Sequence, residues 1–245
     1  MIFMTPPFGV VPEHSLPTES CQMHWTRPID AYCERLSPAF WAEPVNALTN
    51  LGFILAALFL WRRSAGQPLA RALSAILGVI GTGSFLFHTQ AVAWAAIADT
   101  APIGGFILLY LFAINLQVCR WPLWAAALGT AAFIPYAIAL TPVFAALPFT
   151  AISAVYWPVP LLILLYAAVL WVKVPATARG LASGAAILSL SLIFRSLDQS
   201  LCPVWPTGTH FLWHLLNALM LAWMIEVYCR HRRAGQVLAG PGAGR

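Results

Sequence analysis

Charge is what this chain has least of. Only 9% of its 245 residues are Asp, Glu, Lys or Arg, while 60% are hydrophobic, and the mean hydropathy is +0.78. So little polar surface excludes a soluble domain of this length and makes lipid the natural solvent. The sequence also lacks an internal repeat. Its net charge is +5, but the basic residues stand at the ends of apolar runs, where membrane orientation accounts for them, and this argues against a nucleic-acid partner. In the first 28 residues no charged segment is followed by a continuous apolar run, so no secretory signal is legible and the segment reads as an extramembrane arm.

What the chain does have is apolar stretches of about 20 residues, the length that crosses a bilayer as a helix. Breakers separate them into spans 44–62, 69–90, 97–118, 121–140, 155–174, 180–198 and 209–229. The expected fold is all-α, a polytopic membrane protein with a seven-helix bundle at 44–229, an arm at 1–43 and a tail at 230–245. Six helices is the competing count, because QAVAWAAIADTAP blurs the second span into the third. With seven, Arg62, Arg63, Arg71, Arg120, Lys173, Arg179, Arg230, Arg232 and Arg233 all fall on one side. The positive-inside rule makes that side cytoplasmic, leaving the N-terminus outside and the C-terminus inside. The chain is thus expected in an inner membrane if bacterial and in an endomembrane if eukaryotic. Glycine-rich GVIGTGS and GLASGAA suit close helix approach.

An ionisable side chain inside a bilayer is costly and faces a partner or a cavity. Ser84, His88, Asp99, Arg195, Asp198, His210 and His214 all map to the outer ends of their spans. His210 and His214 are one helical turn apart and share a face, which is zinc-ligand spacing, and His88 at the same level is the natural third ligand. Two histidines near a helix start can also simply bond backbone or headgroups. Asp99 reads equally as a structural anion, pairing with Arg195 or capping a helix, and as an acid and base beside a metal site. Ser84, one turn before His88, either donates to a developing oxyanion or bonds back to a helix carbonyl. Arg195 and Asp198, three apart, read as a structural ion pair. Asn46, Thr49 and Asn50 line one face of the first span and suit interhelical hydrogen bonds. Of the five cysteines, Cys21, Cys33 and Cys202 fall outside, where oxidation is possible; Cys33 with Cys202 would tie the arm to the loop before the last span, or all three are free thiols.

Taken together, GTGSFLFHTQ, Asp99 and HFLWH resemble the alkaline ceramidase family, within the superfamily of seven-helix membrane hydrolases that includes adiponectin-receptor-like proteins. In that family a serine precedes a histidine by four, an aspartate follows it by eleven, and a His-x-x-x-His pair opens the last helix. The resemblance implies that His88, His210 and His214 bind zinc, that Asp99 acts as acid and base, and that Ser84 assists the oxyanion. It implies a disulfide between Cys33 and Cys202. The arm, DAYCERLSPAFWAEPVNALTN, resembles the family's N-terminal segment, whose calcium site maps onto Asp30, Glu34 and Glu43 with backbone oxygens of Tyr32 and Leu36. It departs from the pattern by an extra residue between Asp30 and Cys33, by the missing Trp there, and by Leu36 where an Asn is usual.

The activity so implied is zinc-dependent hydrolysis of the N-acyl bond of ceramide or a ceramide-like lipid. Two other classes compete: a receptor-like protein of the same superfamily that holds zinc without turnover, and a proton or ion transporter. The polar residues stop at one level, which counts against the transporter.

Overall fold

A computed structural model describes residues 25–239. Seven helices account for the described chain, with no strand among these residues: α1 Pro44–Arg63, α2 Pro68–Gln90, α3 Ala93–Val118, α4 Leu123–Ala145, α5 Pro158–Leu170, α6 Pro175–Leu201 and α7 His210–Ala239. Four of them (α1, α2, α5 and α6) open on a proline, whose missing N–H and fixed φ suit a first turn. Consecutive helices pack side by side, and α1 meets α7 to close the ring, with α2 also touching α7. Leu73, Leu77, Ile80, Leu181, Leu192, Ile225 and Tyr228 fill the centre, while Leu55, Leu58, Leu128, Ile138, Val169 and Leu219 face outward. An apolar exterior of this kind suits lipid.

Six helices are long and apolar enough to cross a membrane. The fifth is shorter, yet its segment runs the length of its neighbour. At one end Ser153 Oγ meets Ser196 Oγ at 2.8 Å near the end of α6, and at the other Val174 leads into the start of α6. Six against seven was ambiguous because the break between α2 and α3 is only two residues, Ala91 and Val92. Ala91 adopts φ 46°, the left-handed region, and carries no glycine or proline signal. Its conformation is held from outside: Ile29 N donates to Ala91 O at 2.7 Å and Ala93 N to Arg27 O at 3.1 Å. At the other terminus α7 continues to Ala239 instead of stopping near residue 229, so most of the expected tail is helical. Residues 1–24, with Cys21, and 240–245 lie outside the described part of the chain.

The helices that carry the polar residues approach closely. Pro102 has no N–H for the carbonyl of Ala98 one turn earlier. That carbonyl lies against Gly83, where any Cβ would collide with it. The contact brings Ser84 on α2 and Asp99 on α3 to one level.

A buried histidine cluster under the N-terminal arm

His88 comes from the last turn of α2, and His210 and His214 from the first two turns of α7. All three are buried, and one ring nitrogen of each lies within 4.8 Å of those of the other two. Their bonding fixes which nitrogens are free. His88 Nδ1 stands 2.6 Å from Glu43 Oε2; an ionised carboxylate only accepts, so Nδ1 carries the proton and Nε2 the lone pair. His214 Nδ1 meets Thr49 Oγ1 at 3.0 Å. That hydroxyl already has main-chain acceptors, Val45 O at 2.9 Å and Asn46 O at 3.0 Å, so it accepts from Nδ1 and leaves Nε2 with the lone pair. His88 Nε2, His214 Nε2 and His210 Nδ1 have no hydrogen-bond partner although buried. Unpaired buried polar atoms are costly. Three neutral imidazole nitrogens left bare within one cluster form a set that can hold a metal ion such as zinc.

Each histidine is braced by a residue outside its own helix. Glu43 lies just before α1 and binds His88, Arg35 Nε at 2.5 Å and Asn46 Nδ2 at 3.1 Å. Burial pushes its carboxyl pKa up, but the bonds from His88, Arg35 and Asn46 outweigh that and hold it below the usual carboxylate range. Asp198 accepts from the backbone N–H groups of Thr209 (2.7 Å), His210 (2.9 Å) and Cys33 (3.0 Å). It thereby caps the N-terminus of α7, where a negative charge is favoured, and ties the arm to it. The tight turn before α7 needs Gly208 at φ 62°, since a Cβ there would strike Asp198 and Cys33. The Tyr32 ring stacks on His210 with centroids 3.7 Å apart.

The expected ion pair of Arg195 with Asp198 therefore does not form. Asp198 is consumed by the α7 cap, a nearly ideal anion site one loop away. Arg195 turns the other way, donating to Ile152 O at 3.1 Å and Ser153 Oγ at 3.2 Å, with its guanidinium over the rings of Tyr156 and Trp213. The expected calcium residues do not gather either. Glu34 gives both oxygens to the first N–H groups of α1, those of Val45 at 2.7 Å and Asn46 at 2.8 Å. Asp30 and Leu36 are exposed, and Tyr32 faces the histidines. Cys33 and Cys202 are joined by a disulfide with Cα atoms 5.4 Å apart, which fastens the arm to the loop before α7.

Ser84, Asp99, His214 and Asn217 line one cavity, whose other walls are mostly apolar: Ile80, Phe106, Leu111, Trp213, Leu221 and Met224 among others. From Asp99 to Tyr110 at its far end the cavity follows α3 for about 16 Å, at 1.5 Å per residue. Polar groups at one end of a long apolar slot suit a ligand with a polar reacting group and a hydrocarbon tail.

Glu43, Thr49 and Asp198 are the supporting residues that sequence spacing left unassigned to the histidines. For Thr49 a signal existed, since the polar face of Asn46, Thr49 and Asn50 had to meet something inside the bundle. Glu43 and Asp198 reach the cluster across gaps of 45 and 12 residues, which no helical period encodes.

No curated protein shows significant similarity to the chain. The family model described as Ceramidase matches residues 30–237, from the arm through the last helix and across the whole histidine cluster. This multi-pass membrane protein belongs to the ceramidase family.

Proposed function

We propose that the protein is a zinc-dependent intramembrane amidase that cleaves the N-acyl bond of ceramide or a ceramide-like lipid, giving a fatty acid and a long-chain amine. The observation that carries this reading is the set of three bare, buried histidine nitrogens at the polar end of an apolar slot. His88, His210 and His214 would hold the metal. Zinc in that position supplies Lewis acidity to the amide carbonyl and to the attacking water.

The chain's own groups do the rest. Asp99 accepts the proton that water loses as it attacks and passes it to the departing amine nitrogen, so the same carboxyl serves as base and then acid. Ser84 Oγ–H donates to the oxygen on which negative charge develops. The apolar walls keep the hydrocarbon chain in place and exclude bulk water, which strengthens each of these electrostatic contacts. Glu43 and Thr49 hold the rings of His88 and His214 in the tautomers that turn Nε2 inward. The basic residues gather at the opposite ends of the helices, which supports an N-terminus outside, a C-terminus in the cytoplasm and a site in the outer leaflet half.

The test is metal analysis of the purified protein combined with product detection on a panel of N-acyl lipids. One zinc per chain and fatty acid released from ceramide are expected. His214→Ala should lose both metal and turnover. Asp99→Asn should keep the metal and lose about 10²–10⁴-fold in rate. A protein with full zinc occupancy that releases no fatty acid from any N-acyl lipid would overturn the reading in favour of a receptor-like role.

A further inference from the structure

The family resemblance implies a calcium ion in the arm, and the residues here do not fit one. Calcium takes six to eight oxygen ligands. Of the mapped acids, Glu34 is spent on capping α1, Asp30 is exposed, and Glu43 is already bonded through both oxygens. A different cation stands at that junction. The guanidinium of Arg35 is buried and donates in three directions. Its Nε bonds Glu43 Oε1 at 2.5 Å, its Nη1 reaches the carbonyls of Ser37 at 3.1 Å and Ala39 at 3.5 Å, and its Nη2 bonds the carbonyl of His88 at 2.9 Å. Four oxygens from three segments thus surround one positive charge: the arm loop, the entry to α1 and the end of α2.

We propose that Arg35 is a built-in replacement for the arm's calcium ion, so that a guanidinium of the chain itself, and no divalent cation, locks the arm over the histidine cluster. The chemistry suits the exchange. Both cations are hard to strip of charge and seek oxygen, but a guanidinium offers five donors in a fixed plane and stays protonated at every physiological pH. It is covalently present at fixed stoichiometry, whereas a calcium site fills only when the surrounding concentration allows. Because the Arg35 charge already neutralises Glu43, a divalent ion brought to the same oxygens would meet repulsion and no vacant ligand. Arg35 also bonds the carbonyl of His88 while Glu43 bonds the ring of the same residue, so the lock positions one of the three histidines from both sides.

The experiment uses the full-length protein purified without added calcium and reads metal content and melting temperature, neither of which depends on lipid hydrolysis. The wild type should carry no calcium, and its melting temperature should stay fixed on adding millimolar calcium, since an ion that bound the folded state would raise it. Arg35→Ala should melt about 6–20 °C lower, as expected for a buried charge deprived of its partner in a chain of this size. Calcium or methylguanidinium added to that variant should recover part of the loss by entering the space ringed by Glu43 and the three carbonyls. Should Arg35→Ala fail to fold, Arg35→Lys carries the test: it keeps the charge as a point donor that cannot bridge the same four oxygens, and should melt measurably below wild type, whereas a wild-type melting temperature would overturn the proposal. Stoichiometric calcium in the wild type, a calcium-dependent rise in its melting temperature, or an alanine variant that neither loses stability nor responds to either cation would each overturn the proposal. None of these results would touch the hydrolase reading, which stands or falls on product release.

Discussion

Glu43 and Glu226 lie at opposite ends of the bundle, and each gathers nitrogen donors around one carboxylate. Glu43 is almost wholly buried and binds Arg35, itself buried, together with His88 and Asn46. Glu226 on α7 binds Arg63 at 2.9 Å and Arg230 at 2.9 Å, with Arg233 at 3.6 Å, and these arginine side chains are 45%, 61% and 37% exposed. Both clusters centre on a buried glutamate, and they differ in the solvent around its partners. At the inner end water screens the charges, and long side chains lose entropy by being held. At the outer end every donor and acceptor has left water, so geometry is enforced by the cost of any unmade bond. A buried network is therefore suited to holding imidazoles in one orientation, and an exposed one to marking the side of a membrane.

The contrast is broken most severely at Asp198, another buried anion of the outer end. Asp198→Ala removes the acceptor of three backbone N–H groups, leaves them unpaired and frees both the arm and the start of α7. A loss of about 3 kcal/mol or more is expected, given roughly 1 kcal/mol or more for each charge-assisted bond to a buried donor. It should appear as a lower detergent melting temperature together with loss of bound metal, because His210 is the first residue of the helix that loses its cap. Wild-type stability in this variant would mean that the outer network is no tighter than the inner one.

Glu43→Gln sharpens the comparison more gently. The amide oxygen can still accept from His88 Nδ1 or from Arg35, but not with a full charge on both. Supporting partners of metal-binding histidines typically change affinity by about 10–100-fold. A drop of that size in metal affinity, measured by competition with a chelator, is expected with little change in helix content. An unchanged affinity would show that the Glu43 carboxylate is not what orients His88.

How much of this was legible in the sequence follows from which contacts are periodic. His210 with His214 and Ser84 with His88 are one turn apart, so the helical repeat alone puts each pair on one face. Lengths of apolar runs likewise gave seven helices and the level at which the polar residues sit. The arm has no period to read. Arg35, Glu34 and Glu43 stand in an irregular segment whose partners lie across the fold, so only the resemblance spoke for the arm, and it implied an ion where the structure places a guanidinium. Arg195 and Asp198 were misread for a related reason. Their spacing permits an ion pair, but it says nothing of the competing acceptor and donor sites that folding brings near, the α7 N-terminus for one and the aromatic rings of Tyr156 and Trp213 for the other. The α2–α3 break, expected after residue 90, was blurred because backbone pairing with the arm, not a glycine or proline at Ala91, holds it.

The smallest effect is expected at the inner end. Glu226→Gln removes the acceptor shared by Arg63, Arg230 and Arg233, yet all three keep access to water and to lipid headgroups. The melting temperature should fall by a few degrees at most, the difference from wild type should shrink as salt is raised, and metal content and turnover should be unaffected. Arg63 joins the end of α1 to α7 about 30 Å from Glu43, the length of a 20-residue helix, so nothing in the exposed cluster touches the histidines. A salt-independent loss of metal on changing Glu226 would require the two ends to be coupled through α1 or α7, and it would make the inner cluster part of the site instead of a solvated anchor.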